Sequence, residues 1–126
     1  MNRHTARENA FQILFQLEIN DRDAKEAIEE HTDTLEIDNF LKTLVEGVST
    51  HKTELDQVIT EHLEKWTIDR IAAVERTILR LAVFELKYQE DIPSSVSINE
   101  AVELANVFGD EKSGKFVNGV LSKIVA

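Results

Sequence analysis

Apolar residues recur at intervals of three and four along most of this chain, the spacing that lines one face of an α-helix. Ala6, Ala10, Ile13, Leu14 and Leu17 share one such face, with Arg7, Phe11 and Phe15 beside it. Thr5 followed by Glu8 has the form of a capping box, in which both side chains satisfy free backbone donors, so a helix is expected to open there. Its apolar arc is wide enough for a central helix or for one partly covered by a ligand. Residues 21–30 carry few apolar groups, chiefly Ala24, Ala27 and Ile28, and predict a short surface helix ended by the polar stretch 31–34. Ile37, Phe40, Leu41, Leu44, Val45 and Val48 form the next stripe, and Leu55, Val58, Ile59, Leu63 and Trp66 another. Two helices with a break near Ser49 are expected, one long bent helix being the alternative.

Thr67 can cap a long helix over 68–88, in which Asp69, Arg76, Arg80 and Lys87 make a polar stripe among mostly apolar positions. Glu75 and Glu85 interrupt the apolar arc, and a carboxylate there must find a cation or several donors. Either an internal ion pair, with Arg7 or Arg70, or a partner's cation would serve; the internal pair is the expectation for Glu85. Pro93 cannot continue the preceding helix. Ser97 with Glu100 forms a second capping box, opening a helix whose Ile98, Ala101, Val102, Ala105 and Phe108 share a face and whose stop is a left-handed Gly109. In the last helix, over 112–124, Phe116, Val117, Val120, Leu121 and Ile124 occupy an arc of roughly 140°. Lys112, Lys115, Gly119 and Lys123 occupy a separate arc of roughly 80°, with Phe116 at the seam. The pattern therefore predicts an all-α protein, a compact bundle of about seven helices forming one domain over residues 1–126.

Spacing leaves two readings of the last helix open. Phe116 is core and the lysines solvate the outer face, or the ring and the ammonium groups together receive single-stranded nucleic acid, whose bases stack on aromatics while its phosphates attract lysine. A glycine in the lysine stripe would let another backbone approach closely.

Charge first argues against the second reading. The chain has 126 residues and a net charge of −10, whereas phosphate contacts call for a positive surface. Its distribution changes the picture: residues 18–64 hold 14 acidic side chains against four basic ones, and the remainder is balanced at ten of each. Both chain ends are thus free to form local basic patches, while the acidic stretch repels RNA from one face, attracts a basic protein or simply favours solubility. The absence of cysteine excludes disulfides and thiolate metal sites and fits a reducing, cytoplasmic compartment. No signal-peptide core and no run of membrane-spanning length occur.

Three separated segments carry a resemblance. INEAVELA (98–105), the FG at 108–109 and above all KFVNGVL (115–121) resemble the C-terminal signature of the NusB family of transcription antitermination factors. Arg70 with VERTILRLAVFEL (74–86), and TARENAFQILFQLE (5–18), resemble that family's middle and opening segments. The resemblance implies an all-helical fold and binding to the boxA RNA element of ribosomal RNA operons. It also implies a heterodimer with a small-subunit ribosomal protein, NusE, within the RNA polymerase antitermination complex, and leaves a homodimer open. Carried over position by position, RNA contacts fall on Arg3, His4 and Arg7 at the start and on Lys112, Ser113, Lys115 and Phe116 at the end, with Phe15 and Lys65 as neighbours. Glu75 falls on the face that meets the ribosomal protein. Two departures from the family stand out: an N-terminal arm with only two arginines, and Lys112 where an acidic residue is common.

Catalytic and metal chemistry find no support in the residues. His4, His31, His51 and His62 lack paired ligand spacing, and Gly109, Gly114 and Gly119 match neither a dinucleotide fingerprint nor a phosphate loop. Ser94, Ser95 and Ser97 have no glycine-framed elbow. No cofactor, metal or catalytic activity is expected. The same helical domain also fronts certain ribosomal RNA cytosine methyltransferases, but this chain ends at Ala126 without a nucleophilic cysteine, so catalysis would need a second polypeptide. A helical adaptor that binds only proteins is the third reading.

Overall fold

The computed structural model describes residues 1–20, 26 and 38–126. Among them are five α-helices and no strand: α1 (Arg3–Asn20), α2 (Asn39–Glu61), α3 (Ala73–Tyr88), α4 (Ser94–Phe108) and α5 (Glu111–Val125), with a 3₁₀ turn at Ile68–Arg70 between α2 and α3. The all-α class is as expected, and the count of about seven is not reached among the described residues. Two expected helices form one run, α2, interrupted at His51 by non-helical dihedrals (φ −103°, ψ 15°). The short helix expected over 21–30 and the stretch ending it lie, Glu26 apart, outside the described residues. No helix among the described residues is long and apolar enough to cross a membrane.

The chain divides into two compact units, Met1–Thr50 and His51–Ala126. In the first, Asn2 rather than Thr5 opens α1: its Oδ1 accepts from Thr5 N–H at 2.8 Å and its carbonyl from Ala6 N–H at 2.9 Å. Glu8, expected to complete a capping box, instead lies 3.2 Å from His4 Nε2. Ala6, Ala10, Phe11, Ile13 and Leu14 of α1 and Leu41, Leu44, Val45 and Val48 of α2 are buried, as their periodicity predicts. Asp38 caps α2 by accepting from Leu41 N–H at 3.0 Å.

In the second unit α3, α4 and α5 pack against one another, most extensively α4 against α5. The helix expected over 68–88 is divided because Ile71 adopts an extended conformation (φ −81°, ψ 153°). Arg76 holds the division in place, donating from Nη1 to the carbonyls of Ile68 and Ile71, each at 3.1 Å. The polar stripe of α3 is not a solvated face but a seam with the C-terminal half of α2. Arg80, 7% exposed, forms a two-pronged pair with Asp56 (2.6 and 3.0 Å). Lys87 pairs with Glu54, and Tyr88 Oη donates to the same carboxylate at 2.8 Å. Those bonds hold Glu54 below the usual carboxylate range, Lys87 being the larger cause, and hold Lys87 and Tyr88 above their ordinary values.

The second expected capping box is also replaced. Pro93 (φ −58°, ψ 139°) precedes α4, and Ser97 lies inside its first turn, buried, donating from Oγ to Glu85 Oε1 at 3.1 Å. Glu85 is buried and accepts from Ser97, an internal position for the carboxylate. Gly109 is not left-handed (φ −113°, ψ −115°). Its need for glycine is steric, since a Cβ there would lie 2.6 Å from Ser113 Oγ and 2.9 Å from the Ala105 carbonyl.

Candidate functional site

The C-terminal helix owes its start to Asp110, whose Oδ1 accepts from Ser113 N–H at 2.8 Å. That bond, the largest cause, holds the Asp110 carboxyl below its ordinary range, as expected for a carboxylate at a helix N-terminus. From this cap the apolar face of α5 follows: Val117, Val120 and Leu121 are buried, and Phe116 is half-buried at the edge. Gly114, not Gly119, is the close-approach glycine, since a Cβ on it would meet Asn106 Oδ1 of α4 at 2.0 Å. A Cβ on Gly119 would meet nothing within 4 Å. Gly119 is exposed and leaves a bare strip of helix beside Phe116.

That strip forms one wall of an open groove of about 330 Å³, lined on the α5 side by Lys115, Phe116, Gly119 and Lys123. Its other wall is the segment after α2, with His62, Lys65 and Trp66. Here α2 ends at Glu61, and the chain tightens through His62 N–H to Ile59 O and Leu63 N–H to Thr60 O, at 3.0 and 3.2 Å. His62 Nδ1 lies 2.8 Å from the Val58 carbonyl, which can only accept, so Nδ1 carries the proton and Nε2 is the ring's remaining polar atom. Lys123 is engaged by Glu64 at 2.6 Å, a contact that holds the Glu64 carboxyl below its usual range. Lys115 approaches Glu111 only at 3.8 Å with both side chains largely exposed, a pair of little strength. Lys65 and Lys115 therefore supply the groove's available positive charge.

Lys65, Lys115 and Phe116, expected from sequence, are thus brought together. Lys112 is exposed in the first turn of α5. Ser113 is 9% exposed and committed to the cap through its backbone N–H, so it offers little surface to a ligand. In the first unit Arg3 and Arg7 approach the face of Phe40 at 4.7 and 5.2 Å, a cation–π arrangement. Arg3 and His4 are exposed, but Arg7 is 3% exposed, so the phosphate contact expected of it is not presented by an open guanidinium. Phe15, half-buried, stacks on Phe11 at 5.7 Å between centroids. Glu75 is half-buried in the first turn of α3, where the helix dipole favours an anion, and it has no ion pair among the described residues. The spacing places Trp66 in an apolar helical stripe, yet it is 53% exposed, because α2 stops five residues before it. An aromatic at the very end of a periodic run, followed by a capping threonine, was the one available signal.

Comparison with known proteins agrees with this architecture. A match to the NusB family covers residues 4–126. The transcription antitermination protein NusB of Oceanobacillus iheyensis is 64% identical over 126 residues, the full length of both chains. Among solved structures, NusB of T. maritima is similar with a TM-score of 0.91 and 38% identity, over 98% of this chain and 90% of that one. A crystal structure of antitermination factors NusB and NusE in complex with dsRNA gives a TM-score of 0.84 and 36% identity, over 98% and 97% of the two chains.

Proposed function

The chain belongs to the NusB family, and from that premise we propose that it acts as a transcription antitermination factor, binding RNA together with NusE. In this reading it is non-catalytic and cytoplasmic, its residues 1–126 form one domain of the family's kind, and its RNA is the boxA element of ribosomal RNA operons. One observation carries the assignment of the RNA contacts: Phe116 stands half-buried in a groove flanked by Lys65 and Lys115, although the chain as a whole carries −10. An aromatic ring for a base and two ammonium groups for the flanking phosphates is the minimal equipment of a single-strand site. Lys112 extends the same charge along α5. Arg3, His4, Arg7, Phe15 and Ser113 rest on the family resemblance; Arg7 and Ser113, being buried, are assigned the ordering of Phe40 and of the α5 cap. Glu75 is assigned to the NusE contact.

The test is a titration of fluorescently labelled boxA RNA and a scrambled strand, each with and without NusE. Tighter binding of boxA than of the scramble, strengthened by NusE, is expected. Equal binding of both strands would remove the boxA preference, and binding of neither strand under any condition would reduce the protein to an adaptor for proteins. Lys115→Ala is expected to weaken both strands about equally, because a lysine on phosphate reads no sequence.

A further inference from the structure

The groove holds a second aromatic group that the family signature does not supply. Trp66 is 53% exposed and, among the described residues, its ring stacks on no other; neither does that of Phe116. A single exposed apolar side chain is ordinary. Two unstacked rings lining one groove, with lysines on both walls and a glycine strip in one of them, are a more specific arrangement. The volume of about 330 Å³ is at the small end for a ligand site, which suits a planar heterocycle rather than a folded protein element. Lys65, Trp66, Lys115 and Phe116 all line this one groove, so it offers both rings and cations, the combination that a nucleotide's base and phosphate require. His62, with Nδ1 committed to Val58, leaves only Nε2 for the edge of a bound ring.

We infer that Trp66 is a base-stacking residue, and that the groove between residues 62–66 and α5 receives an unpaired nucleobase of the bound RNA with Trp66 and Phe116 as its two aromatic surfaces. This rests on the RNA-binding reading above and adds to it a residue and a ligand state, a base free of its pairing partner. A base held within a duplex has both faces covered by its neighbours and cannot enter. The lysines select against a basic or apolar protein surface as the occupant, and the emission test below separates RNA from a protein partner.

Trp66 is the only tryptophan of the chain, so its emission reports on the groove directly. The experiment follows tryptophan emission and the anisotropy of a labelled boxA strand in one titration, with NusE present if it is needed for binding and its own emission subtracted. Quenching with the same midpoint as the anisotropy change is expected. Trp66→Ala should weaken binding roughly five- to hundredfold, and Trp66→Phe should retain most of the affinity, with thermal melts confirming that both variants fold. Strands carrying one abasic nucleotide keep their phosphates and lose one base. At one position the abasic strand should abolish the quench, and its loss of affinity should not add to that of Trp66→Ala. If RNA binds while emission is unchanged and Trp66→Ala binds normally, the inference is wrong and the RNA-binding reading survives. If emission responds to NusE and not to RNA, Trp66 is a protein contact and the inference is equally wrong. If no strand binds under any condition, both fall.

Discussion

Ser97 shows how one residue can satisfy a sequence rule for a reason the rule does not contain. Its spacing to Glu100 fits a capping box, yet its hydroxyl is buried against Glu85 on the neighbouring helix. Both accounts predict that Ser97→Ala destabilises, the cap by about 1 kcal/mol and the buried bond by about 1–3 kcal/mol. A double-mutant cycle in urea separates them: Ser97 should couple to Glu85 and not to Glu100. Glu75 invites a different measurement. Truncating one member of a charge pair buried at an interface typically costs 2–5 kcal/mol, so Glu75→Ala should weaken NusE binding by that order in calorimetry while leaving the melting temperature nearly unchanged. Unaltered affinity would assign Glu75 to the helix dipole alone. The sequence places both carboxylates in an apolar arc but does not name Ser97 as the partner of Glu85, because a residue's position on a wheel gives its face but not the group across from it.

At the scale of elements, α1, α4 and α5 were legible almost to their ends, since an apolar face at helical spacing with polar flanks leaves few alternatives. The starts of α1 and α5 were not, because the capping groups Asn2 and Asp110 lie three and two residues ahead of the expected starts at Thr5 and Lys112, where a single hydrogen bond decides. The two glycines of α5 differ for a related reason: spacing shows where a glycine falls but not what faces it, and Gly119 faces the open groove while Gly114 faces Asn106. Gly119→Ala places a methyl group in open space in an exposed helix interior and should stabilise the protein by up to about 1 kcal/mol, while narrowing the groove and weakening RNA binding. Gly109→Ala would press a Cβ against the Ala105 carbonyl, which cannot yield as a flexible side chain can, and should destabilise by roughly 1–3 kcal/mol. The Glu64–Lys123 contact ties the segment after α2 to α5, and it depresses the Glu64 carboxyl. A depressed carboxyl stabilises the fold above its ordinary pKa, and that stabilisation is lost as pH falls through the lower, folded value. Melting curves recorded from neutral to acid pH should therefore fall less steeply for Glu64→Gln than for the parent chain.

For the whole molecule, the tension between a charge of −10 and an RNA ligand is resolved by where the charge lies. The acidic excess is confined to 18–64, and the groove brings Lys65 and Lys115 beside Phe116 in the balanced remainder. Composition alone could not reveal this, because Lys65 joins the C-terminal lysines only once the chain has folded. With roughly three to five phosphates neutralised, log affinity should fall with log salt at a slope of about −2 to −3.5, from about 0.7 per contact on a single strand. The most direct test of the groove is that slope, measured for the boxA strand with NusE present, in the parent protein and in the variant carrying Lys65→Ala, Lys115→Ala and Phe116→Ala. Loss of two phosphate contacts should make the slope shallower by about 1.4, and loss of the ring should lower affinity at every salt concentration. An unchanged slope and affinity in the triple variant would place the RNA elsewhere on the molecule.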